Sequence, residues 1–493
     1  MLAWTIYVSF LGAGLQLCLP RGHAPAARKL ALLTAIIGLA LGLGGSLGAD
    51  GRVQTVEFLP WITSLGIEYH LAADGISLML VILTGLAAVA GILFSWNVEE
   101  RANEFFAFYL ALIGGVYGVF LSFDLFLLFV FYEIAIVPKY FLIAIWGSKN
   151  REPAAMKLAL YSFVGSAMVL IGLIAAYVVS GAHTTNLLLL ARHPFPEAFQ
   201  FWAFPLVFIG FAILAGMWPF HTWAPTGHAA APTAASMLLA GVVMKLGAYG
   251  CLRVAMTLFP LGAKAWQDEI AALAVMGIVY GAMVALTQKD FKFVIGYSSV
   301  SHMGFVLLGL MTLSTVGLSG AVLQMFSHGI IAGLLFAVVG RMVYDRAHTR
   351  ELNVLEGLQL ARSIPFAAVT FAIASLASMG MPGFSGFVAE FQVLIGAWRS
   401  FPTLALIAGV GIVLGVAYTL RVLMKVFLAE STGLPPADPA HPLPPVSVPE
   451  RFGAVLLIGA TLIIGLYPRL LLDWILPSLQ APMFEGLRKA GGL

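Results

Sequence analysis

The chain of 493 residues is 60% hydrophobic and 10% charged, with a mean hydropathy of +0.96 and a formal net charge of +3. Soluble globular proteins are nearer ~45–50% apolar and ~25% charged, so this composition excludes a soluble domain and predicts an all-α polytopic membrane protein. Cys18 and Cys251 lie far apart in apolar runs, and no CxxC, Walker or strand-linked Rossmann motif occurs. We therefore expect no metal, no cofactor-binding site and no nucleic-acid partner on this chain.

Apolar runs of about 20 residues, the length that crosses a bilayer, predict about fourteen transmembrane helices. In chain order they cover residues 2–19, 29–48, 77–96, 104–122, 124–146, 156–180, 201–222, 232–257, 268–287, 292–312, 315–343, 363–399, 402–428 and 453–476. The proline-rich stretch 431–451 is typical of a semi-rigid surface linker before the last helix. No extramembrane domain is expected.

Lysine and arginine are unevenly distributed between the two sides of this predicted topology. Loops after odd-numbered helices carry sixteen of them, whereas loops after even-numbered helices, together with the C-terminal tail, carry seven. Cytoplasmic loops hold the excess of basic residues. We therefore expect both termini to face outward.

Two predicted helices, the seventh and the twelfth, are interrupted. The seventh contains Pro219 in FAILAGMWPFHTWAPTGHAAAPT, and the twelfth contains Pro382 in SLASMGMPGFSGFVAEF. Proline removes a backbone donor, which is tolerated at membrane depth only where protein or water covers the gap. Because the breaks are five helices apart, an odd spacing, a repeat that relates them must be inverted; two ordinary proline kinks are the alternative.

This spacing predicts four parts of the chain. They are N-terminal helices 1–3 in residues 1–103, a first inverted five-helix repeat in 104–257, a second in 258–428, and a linker with the last helix in 429–493.

Ionisable residues inside the predicted spans are the candidate functional groups. Glu133 lies near the centre of LFLLFVFYEIAIVPKYFLIAIWG, where insertion of a carboxylate costs roughly 2.5–3.5 kcal/mol. Lys245 and Glu390 lie in other spans, with His302 and His328 between them in chain order. Histidine accepts and donates protons near neutral pH, so the two histidines could relay a proton between the lysine and the glutamate. Hydrogen bonds that only hold helices together are the alternative for each residue.

Four more residues are auxiliary candidates: Lys139, His221, Arg253 and Lys292. Arg253 follows Lys245 by eight residues and would share its face in a regular α-helix, where it could tune that lysine or anchor the helix end. Lys292 lies at the end of a span, where an interfacial anchor is the alternative.

Five segments carry a resemblance to a known family. YEIAIVPKYFLIAIWG, PFHTWAPTGHAAAPTAASMLLAGVVMKLGAYG, QKDFKFVIGYSSVSHMGF, QMFSHGI and MPGFSGFVAEF, in this order, resemble the proton-conducting antiporter-like subunits of respiratory complex I (NADH–quinone oxidoreductase). Subunit M and its mitochondrial counterpart, NADH dehydrogenase chain 4, are the most similar type. The resemblance runs from about Asp74 to about residue 428 and implies fourteen helices with two inverted repeats.

The resemblance also implies roles. Glu133 matches the fifth-helix glutamate, Lys245 the eighth-helix lysine, His302 and His328 the relay histidines, and Glu390 the terminal glutamate of the twelfth helix. The chain would be a subunit of a proton-translocating NADH:quinone oxidoreductase in the bacterial inner membrane, with both termini periplasmic. NADH, FMN, Fe–S clusters and quinone would lie on partner subunits, and the L-, N- and K-like subunits and lipid would be its neighbours.

One departure from the family pattern bears on function. The family commonly has F-A-V-K-V-P-M-x-P-F-H-T-W in the seventh helix, whereas this chain has FAILAGMWPFHTW, with Leu214 in place of the lysine that pairs with the fifth-helix glutamate. Lys139 is expected to be a poor substitute, because six residues place it about 9 Å along the helix and roughly 240° around it from Glu133. His221 or a lysine of a neighbouring subunit could pair with Glu133 instead.

Three functions therefore stay open. The first is a proton-translocating subunit of a redox-driven complex. The second is an Mrp-type cation/proton antiporter subunit, against which Glu390 argues, because related subunits tend to carry lysine there. The third is a membrane-arm spacer with impaired pumping, which Leu214 favours.

Overall fold

The computed structural model describes residues 1–20, 22–429 and 443–492. The first half contains α1 (Ala3–Cys18), α2 (Ala24–Ser46), β1 (Gln54–Ile62), β2 (Ile67–Ala73), α3 (Gly75–Phe94), α4 (Ala102–Leu121), α5 (Leu125–Trp146), α6 (Arg151–Ser180), α7 (Leu187–Leu190), α8 (Glu197–Ala215), α9 (Trp223–Ala230) and α10 (Thr233–Met256). The second half contains α11 (Pro260–Ala265), α12 (Gln267–Thr287), α13 (Phe291–Met311), α14 (Thr315–Ala347), α15 (Leu352–Glu356), α16 (Leu360–Ser363), α17 (Pro365–Ser378), α18 (Ser385–Ser400), α19 (Pro402–Leu428), α20 (Val448–Leu466), α21 (Arg469–Leu479) and α22 (Glu485–Gly491).

Long apolar helices dominate the chain, as the composition predicts. Among the described residues, twelve helices are long and apolar enough to cross a membrane, and α1 and α17 are shorter apolar helices. The polytopic helical class is confirmed. The count of fourteen crossings and the two inverted repeats stay predictions.

Both predicted interruptions are present. The first lies between α8 and α9, where Gly216 ends the helix with a φ of +82° and Pro219 follows in the non-helical segment. The second lies between α17 and α18, where Gly380 has a φ of +71° and Pro382 follows. A positive φ is accessible to glycine at little cost, so these glycines allow the chain to leave the helix and resume it.

Helices α10 and α14 are the most buried part of the bundle. In both, the most apolar stretch of 18 residues is 100% buried, whereas the corresponding share is 28% in α19 and 33% in α20. Each also contains π-helical turns, Leu239–Val243 and Cys251–Met256 in α10 and Val338–Tyr344 in α14. A π-turn leaves carbonyl groups off the regular hydrogen-bond ladder and is frequent at functional sites.

A β-hairpin in residues 54–73 was not expected from the sequence. Strands β1 and β2 pair antiparallel with Phe58 opposite His70. His70 is held by Asn186, whose Nδ2 lies 3.2 Å from its Nδ1. The alternation of Val, Phe and Trp with polar residues in QTVEFLPWI is a strand signal that the search for long apolar runs passed over.

The end of the last predicted span is wrong. Residues 453–476 were assigned to one helix, but α20 ends at Leu466 and α21 begins at Arg469, because Pro468 lacks the N–H that a continuous helix would need. Of the predicted linker 431–451, residues 431–442 lie outside the described residues. The described remainder leads into α20 through a capping box formed by Ser447 and Glu450.

Candidate functional site

Lys245 is fully buried and contacts a histidine that the sequence also singled out. It is fully buried on α10, and its Nζ donates to the carbonyl of Ala240 at 2.5 Å and lies 2.7 Å from Nδ1 of His328 on α14. Ala240 belongs to the π-turn, which explains why its carbonyl is free to accept from a side chain. The ammonium thus has a carbonyl on one side and an imidazole on the other.

His302 and Glu390 form a second direct contact. Nδ1 of His302 on α13 lies 2.7 Å from Oε1 of Glu390, and its Nε2 lies 3.2 Å from the hydroxyl of Ser378. Gln324 of α14 donates to the same Glu390 oxygen at 2.9 Å. Ser378 ends α17, and Glu390 lies in the second turn of α18. The break in this helix therefore brings polar groups from both of its halves to one imidazole.

The first contact includes His328 and the second includes His302, and the rings of these two histidines are neighbours. The ring centroids of His302 and His328 are 5.5 Å apart, and Nε2 of His328 has no hydrogen-bonding partner in the described part of the chain. A cavity of about 10 Å³ lies between His328, His302, Ser378 and Glu390. Such a volume is at the lower limit for one water molecule. The order Lys245, His328, His302, Glu390 is thus a buried polar row with a single short gap.

His228 is a functional candidate that sequence reasoning missed. It lies on α9, just after the first helix break, fully buried between the rings of Trp223 and Phe336. Both of its ring nitrogens are buried without a hydrogen-bonding partner among the described residues, and it lies within electrostatic range of Lys245 and Lys292. Its segment reads PTGHAAAPT, and a histidine directly after a broken helix is the signal that the sequence offered.

Lys292 is buried, which argues against the interfacial anchor that the sequence left open as an alternative. It is 2% exposed, and its Nζ donates to the carbonyl of Ala231 at 2.9 Å. It lines an open cavity of about 330 Å³, which Glu99, Glu100 and Asp345 also line. Lys292 is thus a buried lysine in contact with an open cavity.

Glu133 does not join this row through any contact in the described residues. It is partly buried on α5, its Oε1 has no hydrogen-bonding partner there, and its polar neighbours are Ser166 on α6 and Lys139. Leu214, where the resemblance implies a lysine, is 2% exposed. Direct contacts thus join Lys245 to His328 and His302 to Glu390, and none joins Glu133 to these residues in the described part of the chain.

Two auxiliary candidates have other contacts. His221 packs edge-on against Tyr280, with ring centroids 5.2 Å apart, and the structure places no contact between it and Glu133. Arg253 does not share the surroundings of Lys245: its guanidinium lies 2.6 Å from Asp74. The assumption of a regular α-helix between the two fails, because α10 changes to a π-helix at Cys251.

Broken helices around a buried row of lysine, histidines and glutamate define a class: polytopic membrane subunits of the antiporter-like type. Residues 122–415 match the family described as NADH:quinone oxidoreductase/Mrp antiporter, TM. The chain belongs to this family.

Relatives and solved structures agree with this assignment. The chain is 36% identical to NADH-quinone oxidoreductase subunit M of Rhodobacter capsulatus, over 97% of this chain and 95% of the relative. It is 37% identical to subunit M of Escherichia coli (strain K12), over 96% of each. Its structure matches a chain of respiratory complex I from Thermus thermophilus with bound NADH, with a TM-score of 0.90, 29% identity and full coverage of both chains. A chain of the Mrp complex from Dietzia sp. DQ12-45-1b matches with a TM-score of 0.86 at 22% identity, over 99% and 98% of the two chains, a likeness of fold alone.

Proposed function

We propose that this chain is the subunit M-type, antiporter-like component of a complex I-type NADH:quinone oxidoreductase, and that it translocates protons while electron transfer occurs on other subunits. The observation that supports this proposal most directly is the buried row from Lys245 to Glu390. Nζ of Lys245 lies 2.7 Å from Nδ1 of His328 at one end, and Nδ1 of His302 lies 2.7 Å from Oε1 of Glu390 at the other. Relatives that are named subunit M align along nearly the whole chain at 36–37% identity. The Mrp-type alternative rests on a likeness of fold, and Glu390 argues against it.

The proposed path begins at the open cavity and ends at Glu390. A proton enters at Lys292, passes His228 and reaches Lys245. The neutral ring of His328 accepts it at Nδ1, 2.7 Å from Nζ, and releases another from Nε2 toward His302, since a neutral imidazole has one donor and one acceptor nitrogen. His302 delivers it to Glu390 across 2.7 Å. An isolated charge is costly in this buried row. The free energy of charging each residue therefore depends on the protonation state of its neighbour.

The membrane context follows from the same proposal. We place the cavity that ends at Lys292 on the cytoplasmic side of a bacterial inner membrane, because the loops around it carry the excess of basic residues. Both termini would then be periplasmic. The L-, N- and K-like membrane-arm subunits and lipid are the neighbours, and NADH, FMN, Fe–S clusters and quinone are bound by partner subunits.

Replacement of Lys245 tests the proposal. In vesicles that contain the whole complex, Lys245→Ala is expected to abolish this subunit's share of redox-coupled proton uptake, because the row loses the amine that contacts His328. We expect assembly to survive, because Lys245 contacts a carbonyl and a histidine and its removal leaves no opposite charge buried and unpaired. The exposed lysine variant Lys264→Ala is the control. Undiminished proton uptake in Lys245→Ala would refute the assignment.

A second candidate function is a membrane-arm spacer that completes the complex without pumping. The specific observation in its favour is Leu214, a buried apolar residue where the resemblance implies the lysine partner of Glu133.

A further inference from the structure

Lys139 is a buried lysine that the path from Lys292 to Glu390 does not use. It is 1% exposed and lies on the buried face of α5, seven residues after the equally buried Tyr132. Within the described ranges, its ammonium makes no direct hydrogen bond or ion pair. A cation at this depth is expensive and usually functional, so its presence needs an explanation other than anchoring.

The buried face of α5 is turned toward the first broken helix. The ring of Tyr132 packs against Phe211 of α8, with centroids 5.5 Å apart. Just beyond the end of α5, the N–H of Ser148 donates to the carbonyl of Ala230, the last residue of α9, at 2.8 Å. Lys139 lies between these two contacts along α5. We therefore infer that its side chain faces the protein interior beside the break.

Glu133 is the charged group with which Lys139 interacts. The two interact electrostatically, although no nitrogen–oxygen distance between them is within ion-pair range, since six residues separate them by about 9 Å along the helix. Glu133 has a buried carboxylate oxygen without a hydrogen-bonding partner in the described chain. Lys139 thus has no direct partner among the described residues, whereas Glu133 has Ser166 as a hydrogen-bonding neighbour and one carboxylate oxygen left unpaired.

Further polar groups on α5 and on the neighbouring α6 lack a partner in the described part of the chain. Pro138 interrupts the hydrogen bonds inside α5, so the carbonyl of Ile134 loses its regular helical donor. The hydroxyls of Tyr132 and of Ser162 on α6 are buried and have no partner among the described residues. Each such unpaired group costs about 1–3 kcal/mol. We therefore infer that water held between α5 and α6, the helices that carry Lys139, Glu133 and Ser166, satisfies these groups.

We propose that Lys139 is a proton carrier that exchanges its proton with Glu133 through water held by these polar atoms. The ammonium of Lys139 gives up one proton and becomes an amine, and the carboxylate of Glu133 gains it and becomes a carboxylic acid. This pair supplies, within α5, the lysine–glutamate couple that Leu214 rules out between α5 and α8. Gly147 and Ser148, just after α5, line the cavity that reaches Lys292, so the same cavity serves as the proton source. The inference rests on the proposed function of the subunit.

The experiment compares Lys139→Met with Lys245→Ala in proteoliposomes of the intact complex, with protons per electron as the readout. Methionine matches the unbranched lysine stem, so packing is preserved. We expect Lys139→Met to lower the ratio to the level of Lys245→Ala, and Lys139→Met/Lys245→Ala to lower it no further. Lys149→Met, at an exposed lysine in the loop after α5, should keep the wild-type ratio.

Lys139→Arg separates proton transfer from a merely structural charge. Arginine keeps the positive charge but does not release its proton, so this variant should fail like Lys139→Met. A wild-type ratio in Lys139→Arg, or in Lys139→Met when Lys245→Ala is impaired, would overturn the inference. If Lys245→Ala itself is unimpaired, the proposed function of the whole subunit fails, and this inference fails with it.

The variant Glu133→Gln provides an independent test of the same proposal. Because the two residues act as one couple, Glu133→Gln and Lys139→Met/Glu133→Gln should give the same ratio. A further loss in the double variant would show that the residues act separately, and the proposed exchange would be wrong.

Discussion

At the residue scale, the functional expectations from the sequence came mostly from individual ionisable residues. Lys245, His302, His328 and Glu390 were predicted as one set because ionisable groups in apolar spans are rare and costly, and the structure places them in contact. His228 escaped prediction because the groups around it, Lys245, Lys292 and the ring of Phe336, lie on other helices. Lys139 was expected to be a poor partner for Glu133 because of the angle between the two around α5. That angle contains no information about polar groups on neighbouring helices.

Leu214 gives the sharpest prediction at this scale. If Lys139 already serves Glu133, Leu214→Lys should leave the number of protons per electron unchanged, because the added lysine repeats an existing partner. Proton uptake and NADH oxidation measured together in proteoliposomes check this. Leu214→Met controls for the change in shape. An increased ratio in Leu214→Lys would instead favour the spacer function.

At the scale of elements, breaks and π-turns position the site more than regular helices do. The break before α18 brings Ser378 and Glu390 to the same imidazole, and the π-turn in α10 frees the Ala240 carbonyl for Lys245. Proline and glycine made both breaks predictable. The π-turns were not predictable, because each depends on contacts with neighbouring helices and leaves no mark in the periodicity of an all-apolar span.

The β-hairpin offers a test of pH dependence outside the membrane-spanning segments. Burial lowers the pKa of His70, with the charge of Glu68 acting in the opposite direction. Because the pKa in the folded state lies below the unfolded value of about 6.5, the stabilisation is complete above that pH and is lost as the pH falls toward the folded value.

We therefore expect the amide protection of β1 to fall between pH 7.5 and pH 5.5, after correction for intrinsic exchange. Hydrogen exchange measured by mass spectrometry on the assembled complex reports this directly. His70→Gln keeps a polar side chain without titration and should show equal protection at both pH values. Equal protection in the wild type would contradict the prediction.

At the scale of the whole molecule, buried ion pairs connect parts that are distant in sequence. Arg253 of α10 pairs at 2.6 Å with Asp74, the N-cap of α3, and its guanidinium lies over the ring of Phe484 near the C-terminus. Glu450 at the start of α20 pairs with Arg341 and Arg346 of α14. These contacts hold the peripheral helices to the central ones that carry the site.

Arg253→Leu should destabilise the subunit by about 3–5 kcal/mol, because removal of one partner leaves the other charge buried and unpaired. Asp74→Asn/Arg253→Leu should recover part of this loss, since asparagine carries no charge and can still cap α3. Thermal unfolding of the purified complex, followed for this subunit, measures the destabilisation in the single variant and the recovery in the double variant. Arg469→Leu, at an exposed position, is the control; equal destabilisation in single and double variants would show that charge burial is not the cause.

The sequence by itself determined that the chain is a helical membrane protein, where two of its helices break, and which ionisable residues lie inside apolar spans. Those features depend on local chemistry: apolar length, proline and glycine, and the cost of a charge in lipid. Only the tertiary structure decided which charges meet. Contact between Lys245 and His328, the absence of contact between Glu133 and Lys245, and the place of Arg253 depend on how helices far apart in the chain rotate and pack, which no single span encodes.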